Sequence, residues 1–154
     1  TECRRQRQMC IRDSPIGLDR SDANAKDDVF TINQLHIPVD RPINILLSTK
    51  DVIHNFKLPE FRVSQDAISG MEIPVWFKAT MTSQEFLETT KGTARDGMGF
   101  EIACAQLCGL GHYRMKGYLT VHDDIGYQQW MSEQQEYLLE ELSDDEDDWG
   151  DDEW

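Results

Sequence analysis

Residues 104–121, CAQLCGLGHYRMKGYLTV, put two cysteines, a histidine and a methionine into one glycine-bearing loop, which then runs into an alternating apolar stretch. The segment leading in, FEIACAQ (100–106), reads as a strand, and the segment leading out, MKGYLTVH (115–122), reads as another. Strand, loop and strand in that order predict a sheet whose end carries a cluster of soft donor atoms.

The same punctuation recurs on both sides. VFTINQLHIPV (29–39) alternates well enough for a strand and ends at Pro38. RPINILLSTKDVIHNF (41–56) is β-rich on either side of a turn near Lys50 and Asp51. MEIPVWFKATM (71–81) is a further strand, in which Pro74 points to an edge or a bulge. SQEFLETTK (83–91) reads as a short helix capped at Ser83, and GTARDGMG (92–99) reads as a loop. Several short strands with glycine and proline between them predict a mainly β domain, a sandwich or a barrel. In IGYQQWMSEQQEYLLEEL (125–142) the period changes. Tyr127, Trp130, Met131, Gln134, Leu138 and Leu142 fall at helical spacing, which predicts a C-terminal amphipathic helix packed on the barrel or on a neighbour. SDDEDDWGDDEW (143–154) is an acidic tail that cannot bury enough surface to order itself. The expected organisation is a disordered or non-native segment over 1–27, a β domain over 28–124, a helix over 125–142 and the tail over 143–154.

A length of 154 residues suits one domain with a sizeable core. INILL (43–47) is the longest apolar run, far short of the ~20 residues of a membrane span. TECRRQRQMCIRDS at the N-terminus lacks the apolar centre of a signal peptide. A membrane anchor, if the domain works at a membrane, is therefore expected outside the given chain. The net charge of −14 is uneven: acids and bases balance up to Lys116, and no Lys or Arg follows it. Phosphate would be repelled by such a surface, so nucleic acid is not an expected partner. A basic protein partner fits, because opposite fields speed encounter.

The four cysteines form two unlike pairs. Cys3 and Cys10 lie in the arginine-rich N-terminus, away from any pattern, whereas Cys104 and Cys108 lie in the loop. That second pair could close a disulfide if its geometry allowed, or remain as buried thiols. Zinc could be held by Cys104, Cys108 and His112 with a distant histidine, although such a site has no role for a methionine. Copper suits Cys, Cys, His and Met better, since thiolate and thioether are soft donors and imidazole serves both oxidation states. A single blue copper needs one cysteine; two thiolates can each bridge two metals and let one unpaired electron spread over both. A second histidine is then required. His54 is the candidate, at the end of an apolar strand and before a proline-marked turn. A lone histidine in that setting is by default a core or rim residue.

LHIPVDRPINILLSTKDVIHNFKLPEFRVSQDAISG (35–70) followed by CAQLCGLGHYRMKGYLTV closely resembles the soluble domain of cytochrome c oxidase subunit II, which carries the dinuclear copper centre CuA. The likeness covers residues 29–130, and the pattern H…C-x₃-C-x₃-H-x₂-M is highly specific. It implies a cupredoxin-like Greek-key β-barrel. It implies two copper ions held by His54, Cys104, Cys108, His112 and Met115, with Gln106 contributing its backbone carbonyl. Cys104 and Cys108 would be the bridging thiolates, and Met115 and the Gln106 carbonyl weak axial donors. Electrons would come from cytochrome c and leave to the haem of subunit I, with His112 toward the exit. Dioxygen chemistry belongs to subunit I, so no catalytic residue is expected in this chain, which would be the electron carrier of an oxidoreductase. The expected location is the outer, periplasmic face of the bacterial cytoplasmic membrane.

Some features depart from the pattern. Many relatives have glutamate at the position of Gln106, where the carboxylate binds magnesium; a glutamine amide suits that hard cation poorly, which argues against magnesium here. The aromatic segment and the transmembrane helices that precede the barrel in relatives are absent, so docking of cytochrome c is expected to be impaired. No C-x-x-C-H haem motif occurs, and the electron donor is therefore expected to be a separate protein. Three rival readings are a copper-free barrel serving assembly or binding, the CuA domain of a nitrous-oxide reductase, and a stand-alone copper carrier. Asp51 and Asp66 are read either as turn residues or as a fixed acidic patch near the copper, and the tail as a solubilising segment or a docking aid.

Overall fold

A computed structural model describes residues 29–144, with side chains as far as Glu136. Cys3, Cys10, the expected disorder over 1–27, the tail beyond 144 and the side chains of Leu138 and Leu142 lie outside the described residues. The strands are β1 (Gln34–Pro38), β2 (Pro42–Leu47), β3 (His54–Leu58), β4 (Val63–Ala67), β5 (Ile73–Lys78), β6 (Phe100–Cys104) and β7 (Lys116–His122). The helices are α1 (Ser83–Thr90) and α2 (Asp124–Asp144), and a short 3₁₀ turn covers His112–Arg114. One sheet has the order β1-β7-β6-β3-β4, and β2 pairs with β5 in a second. Consecutive strands β1, β2 and β3 thus change sheets, as they do in a Greek-key barrel, and β1 lies parallel to β7 while the other pairs are antiparallel. The architecture is the mainly β, cupredoxin-like one anticipated, with a helix at the C-terminal end.

Alternation explains the core. In β7 the residues Gly117, Leu119 and Val121 are buried while Lys116 and Tyr118 face out. Leu58, Phe100, Leu119 and Val121 from the larger sheet meet Phe77 from the smaller one, with Ile37 and Ala79 completing the cluster. Phe100 stacks on Phe86 of α1 with centroids 4.2 Å apart and meets Phe61 edge-on at 5.0 Å. Gly117 allows the closest approach in this region: a Cβ there would lie 3.0 Å from the Asn33 carbonyl oxygen, which accepts the Tyr118 N–H at 2.9 Å.

Four local readings change. The first strand begins only at Gln34, because Asn33 adopts a left-handed φ of 58° that breaks the extended run. The cap of α1 is Thr82 rather than Ser83. Thr82 Oγ1 accepts the Glu85 N–H while the Glu85 carboxylate accepts the Thr82 N–H, a complete capping box. Ser83 is instead the first helical residue, and its Oγ accepts the Val121 N–H at 2.9 Å. Asp66, read from sequence as a turn or acidic-patch residue, lies in strand β4 (VSQDA), whose polar exposed face hides the apolar period. His54 opens β3 instead of ending an apolar strand.

Two predictions arise here. Thr82→Ala is expected to cost about 1 kcal/mol in denaturant unfolding, because the Glu85 N–H at the helix start loses its side-chain acceptor. A second concerns His36 and His122, whose rings stack at 5.1 Å with Nδ1 and Nε2 2.8 Å apart. Burial lowers the pKa of both, and the neighbouring His122 lowers His36 further. Each ring therefore binds a proton more weakly folded than unfolded. Above the ordinary value of 6.5 neither state is protonated and no penalty arises. Below it the unfolded chain gains protons first, and stability falls as pH drops through the lower folded values. Between about pH 7.5 and pH 5.5 the loss of unfolding free energy should be steeper for the unaltered chain than for His36→Gln; equal slopes would contradict a neutral buried pair.

Candidate metal centre

Two strand ends and one loop assemble the site. Cys104 ends β6, and β3 lies beside it with Phe56 directly opposite Cys104. His54 is two residues from Phe56, hence on the same face. The register therefore sets its ring beside the Cys104 thiol, with Nδ1 3.9 Å from Sγ. Residues 105–114 leave the sheet and come back to β7. The Cys104 N–H donates to the Met115 carbonyl at 3.2 Å, which closes the loop at its stem. Inside it, Gly109 takes φ 125°, a conformation that side chains resist, and its carbonyl accepts the His112 N–H at 3.1 Å. The 3₁₀ turn then directs His112 back toward Cys108.

All the sequence-predicted donors converge. The Cys104 and Cys108 sulfurs lie 3.7 Å apart. That is well beyond an S–S bond of about 2.05 Å, so both thiols are free. Cys108 Sγ is 3.5 Å from His112 Nδ1 and 3.1 Å from Met115 Sδ. The Gln106 carbonyl oxygen lies 3.3 Å from Cys104 Sγ. Donor atoms of His54, Cys104 and Cys108 all fall within 4.8 Å of one another. The set contains two thiols, two imidazoles, a thioether and a carbonyl, and no carboxylate. Such softness fits copper, and the thioether and the carbonyl lie outside the Cys₂His₂ set that a structural zinc site uses.

The two thiols are electrostatically unlike. Burial works to raise Cys104, but hydrogen bonds from the backbone of Asn55 and Gln106 and from the His54 and His112 rings outweigh it and bring the pKa to about 6. Cys104 is thus a thiolate at neutral pH. Cys108 is pushed up by burial and by the hydrogen bond and charge of Cys104. The pair gives up one proton readily and holds the second.

Asp51, read from sequence as a turn residue or as part of an acidic patch near the copper, stands against His54 in the site. Its Oδ1 accepts from His54 Nε2 at 2.8 Å and from Thr49 Oγ1 at 2.9 Å. The hydrogen bond from His54 and then that from Thr49 hold its carboxyl below the usual carboxylate range, and in return Asp51, then Cys104, raises His54. The D-x-x-H spacing was a usable signal, since such residues face each other across a turn. Asp66 lies instead in β4, opposite Asn55, whose Nδ2 donates to it at 2.7 Å. The loop around the site reaches solvent: Leu107 is 88% exposed and Leu110 99%.

Comparison with known proteins identifies the family of the chain. A family profile described as "Cytochrome C oxidase subunit II, periplasmic domain" matches residues 19–121. The chain is 34% identical over 126 residues to an alternative cytochrome c oxidase subunit 2 of Bradyrhizobium diazoefficiens, covering 81% of this chain and 40% of that protein. It is 33% identical over 109 residues to cytochrome c oxidase subunit 2 of Thermostichus vulcanus, covering 71% and 28% respectively. The chain therefore spans well under half the length of these relatives. Among solved structures, the periplasmic domain of subunit II of cytochrome oxidase from Bradyrhizobium japonicum superposes with a TM-score of 0.55 at 28% identity, over 78% of this chain and 75% of that one. Fold, donor set and sequence agree: the chain belongs to the cytochrome c oxidase subunit II periplasmic-domain family.

Proposed function

We propose that this domain is the electron-transfer element of a haem-copper terminal oxidase. It takes electrons from cytochrome c at a dinuclear CuA centre and passes them to the haem of subunit I, at the outer face of the bacterial cytoplasmic membrane. Among the described residues no helix is long and apolar enough to cross a membrane. The observation that carries the reading is the pair of free thiols 3.7 Å apart, each facing the Nδ1 of a different histidine. His54, Cys104, Cys108, His112 and Met115 would hold the metal by side chains, and Gln106 by its carbonyl. Two coppers bound there and sharing one unpaired electron would supply a one-electron store whose charge change is spread over both ions.

The chain's own residues supply the rest. The β3–β6 register and the closed stem at Cys104 and Met115 hold the donors before metal arrives, which limits rearrangement on loading and on electron transfer. The low pKa of Cys104 provides a ligand already deprotonated at neutral pH. A barrel serving only assembly has no use for six converging donors, and the relatives named above are oxidase subunits rather than reductases.

The test is loading with copper followed by electron paramagnetic resonance. One electron shared by two spin-3/2 nuclei gives seven hyperfine lines and a purple protein. A four-line spectrum, or uptake of a single equivalent, would overturn the dinuclear reading.

A further inference from the structure

His54 is the one donor that comes from outside the loop, so its ring needs its own means of orientation. A neutral imidazole carries one N–H, and the nitrogen that bears it cannot also donate a lone pair to a metal. His54 turns Nδ1 toward Cys104 and Nε2 toward Asp51. Nε2–H facing a carboxylate oxygen is favourable; a bare Nε2 in the same place would set two acceptors against each other. Asp51 is in turn oriented by the Thr49 hydroxyl, and Thr49 is tied by a parallel backbone bridge to Ser69, beyond the end of β4. The chain of contacts thus runs from that bridge to threonine to carboxylate to imidazole to thiol. His112 has no carboxylate partner of this kind among the described residues, so the two imidazoles are held differently.

We propose that Asp51 is a positioning residue of the metal centre: its carboxylate, aimed by Thr49, holds a proton on His54 Nε2 and fixes the ring plane, so that Nδ1, facing the Cys104 sulfur, is the nitrogen that would give up its proton and take the metal. This rests on the copper reading above and adds to it a residue outside the ligand set. Carboxylate–histidine pairs of this kind commonly account for about 10- to 100-fold in metal affinity.

The test compares the full chain with Asp51→Ala and Asp51→Asn, since the asparagine oxygen can still accept from Nε2–H and alanine cannot. Cu(I) affinity, read by chelator competition, is expected to fall about 10- to 100-fold in Asp51→Ala and to recover largely in Asp51→Asn. In the metal-free protein, a slowly exchanging His54 Nε2 proton is expected by NMR in the parent and in Asp51→Asn, and not in Asp51→Ala. Thermal unfolding of the metal-free variants should stay close to that of the parent, because Asp51 is on the surface. Asp51→Ala with unchanged affinity, or Asp51→Asn as weak as Asp51→Ala, would overturn the proposal. Failure of the parent chain to bind copper at all would sink the copper reading, whereas the NMR arm would still decide whether Asp51 holds the ring.

Discussion

Cys108→Ser is expected to abolish the seven-line copper spectrum and the purple colour while leaving the barrel folded. Cys108 Sγ meets three other members of the donor set: Cys104 Sγ, His112 Nδ1 and Met115 Sδ all lie within 3.7 Å of it. A serine hydroxyl is a hard donor that stays protonated at neutral pH, so it neither bridges two soft ions nor spreads an electron between them. The residue is half-buried at the sheet end and outside the core cluster, so unfolding of the metal-free variant should match that of the parent. Full purple absorption in Cys108→Ser would show that two bridging thiolates are not needed. Loss of the signal together with loss of the fold would show that Cys108 has a structural role instead.

Phe100→Ala carries the largest expected effect on stability, about 3–5 kcal/mol. Phe100 is only 4% exposed and is held between the rings of Phe61 and Phe86. Truncation removes its transfer energy and leaves a cavity that rigid strands on two sheets cannot close. The residue also opens β6, the strand whose other end is Cys104. Denaturant unfolding measures the loss directly. A cost below about 1 kcal/mol would mean that α1, which supplies Phe86, is not packed on the barrel as described.

How much was legible beforehand differs from element to element for physical reasons. β6, β7 and the loop between them could be read because their information is local: alternation marks the strands, and C-x₃-C-x₃-H-x₂-M lies within a dozen residues. β4 could not, because an edge strand with a polar outer face shows too little apolar period. The α1 cap was misplaced by one residue because Thr82 and Ser83 are both good caps, and only the backbone decides which one stays outside the helix.

By itself the sequence determined the mainly β class, the ligand loop, its soft chemistry and the concentration of negative charge beyond Lys116. The soft donor set called for a second histidine and made His54 the candidate, against its default as a core or rim residue, and family likeness then favoured the ligand; Asp51 was read as a turn residue or as part of an acidic patch near the copper. The tertiary structure decided that His54 stands against Cys104 and that Asp51 and Thr49 stand behind it. The reason is that pairing between β3 and β6 joins residues 50 positions apart. No local pattern encodes such a pairing, which follows from the order in which the whole chain stacks its strands.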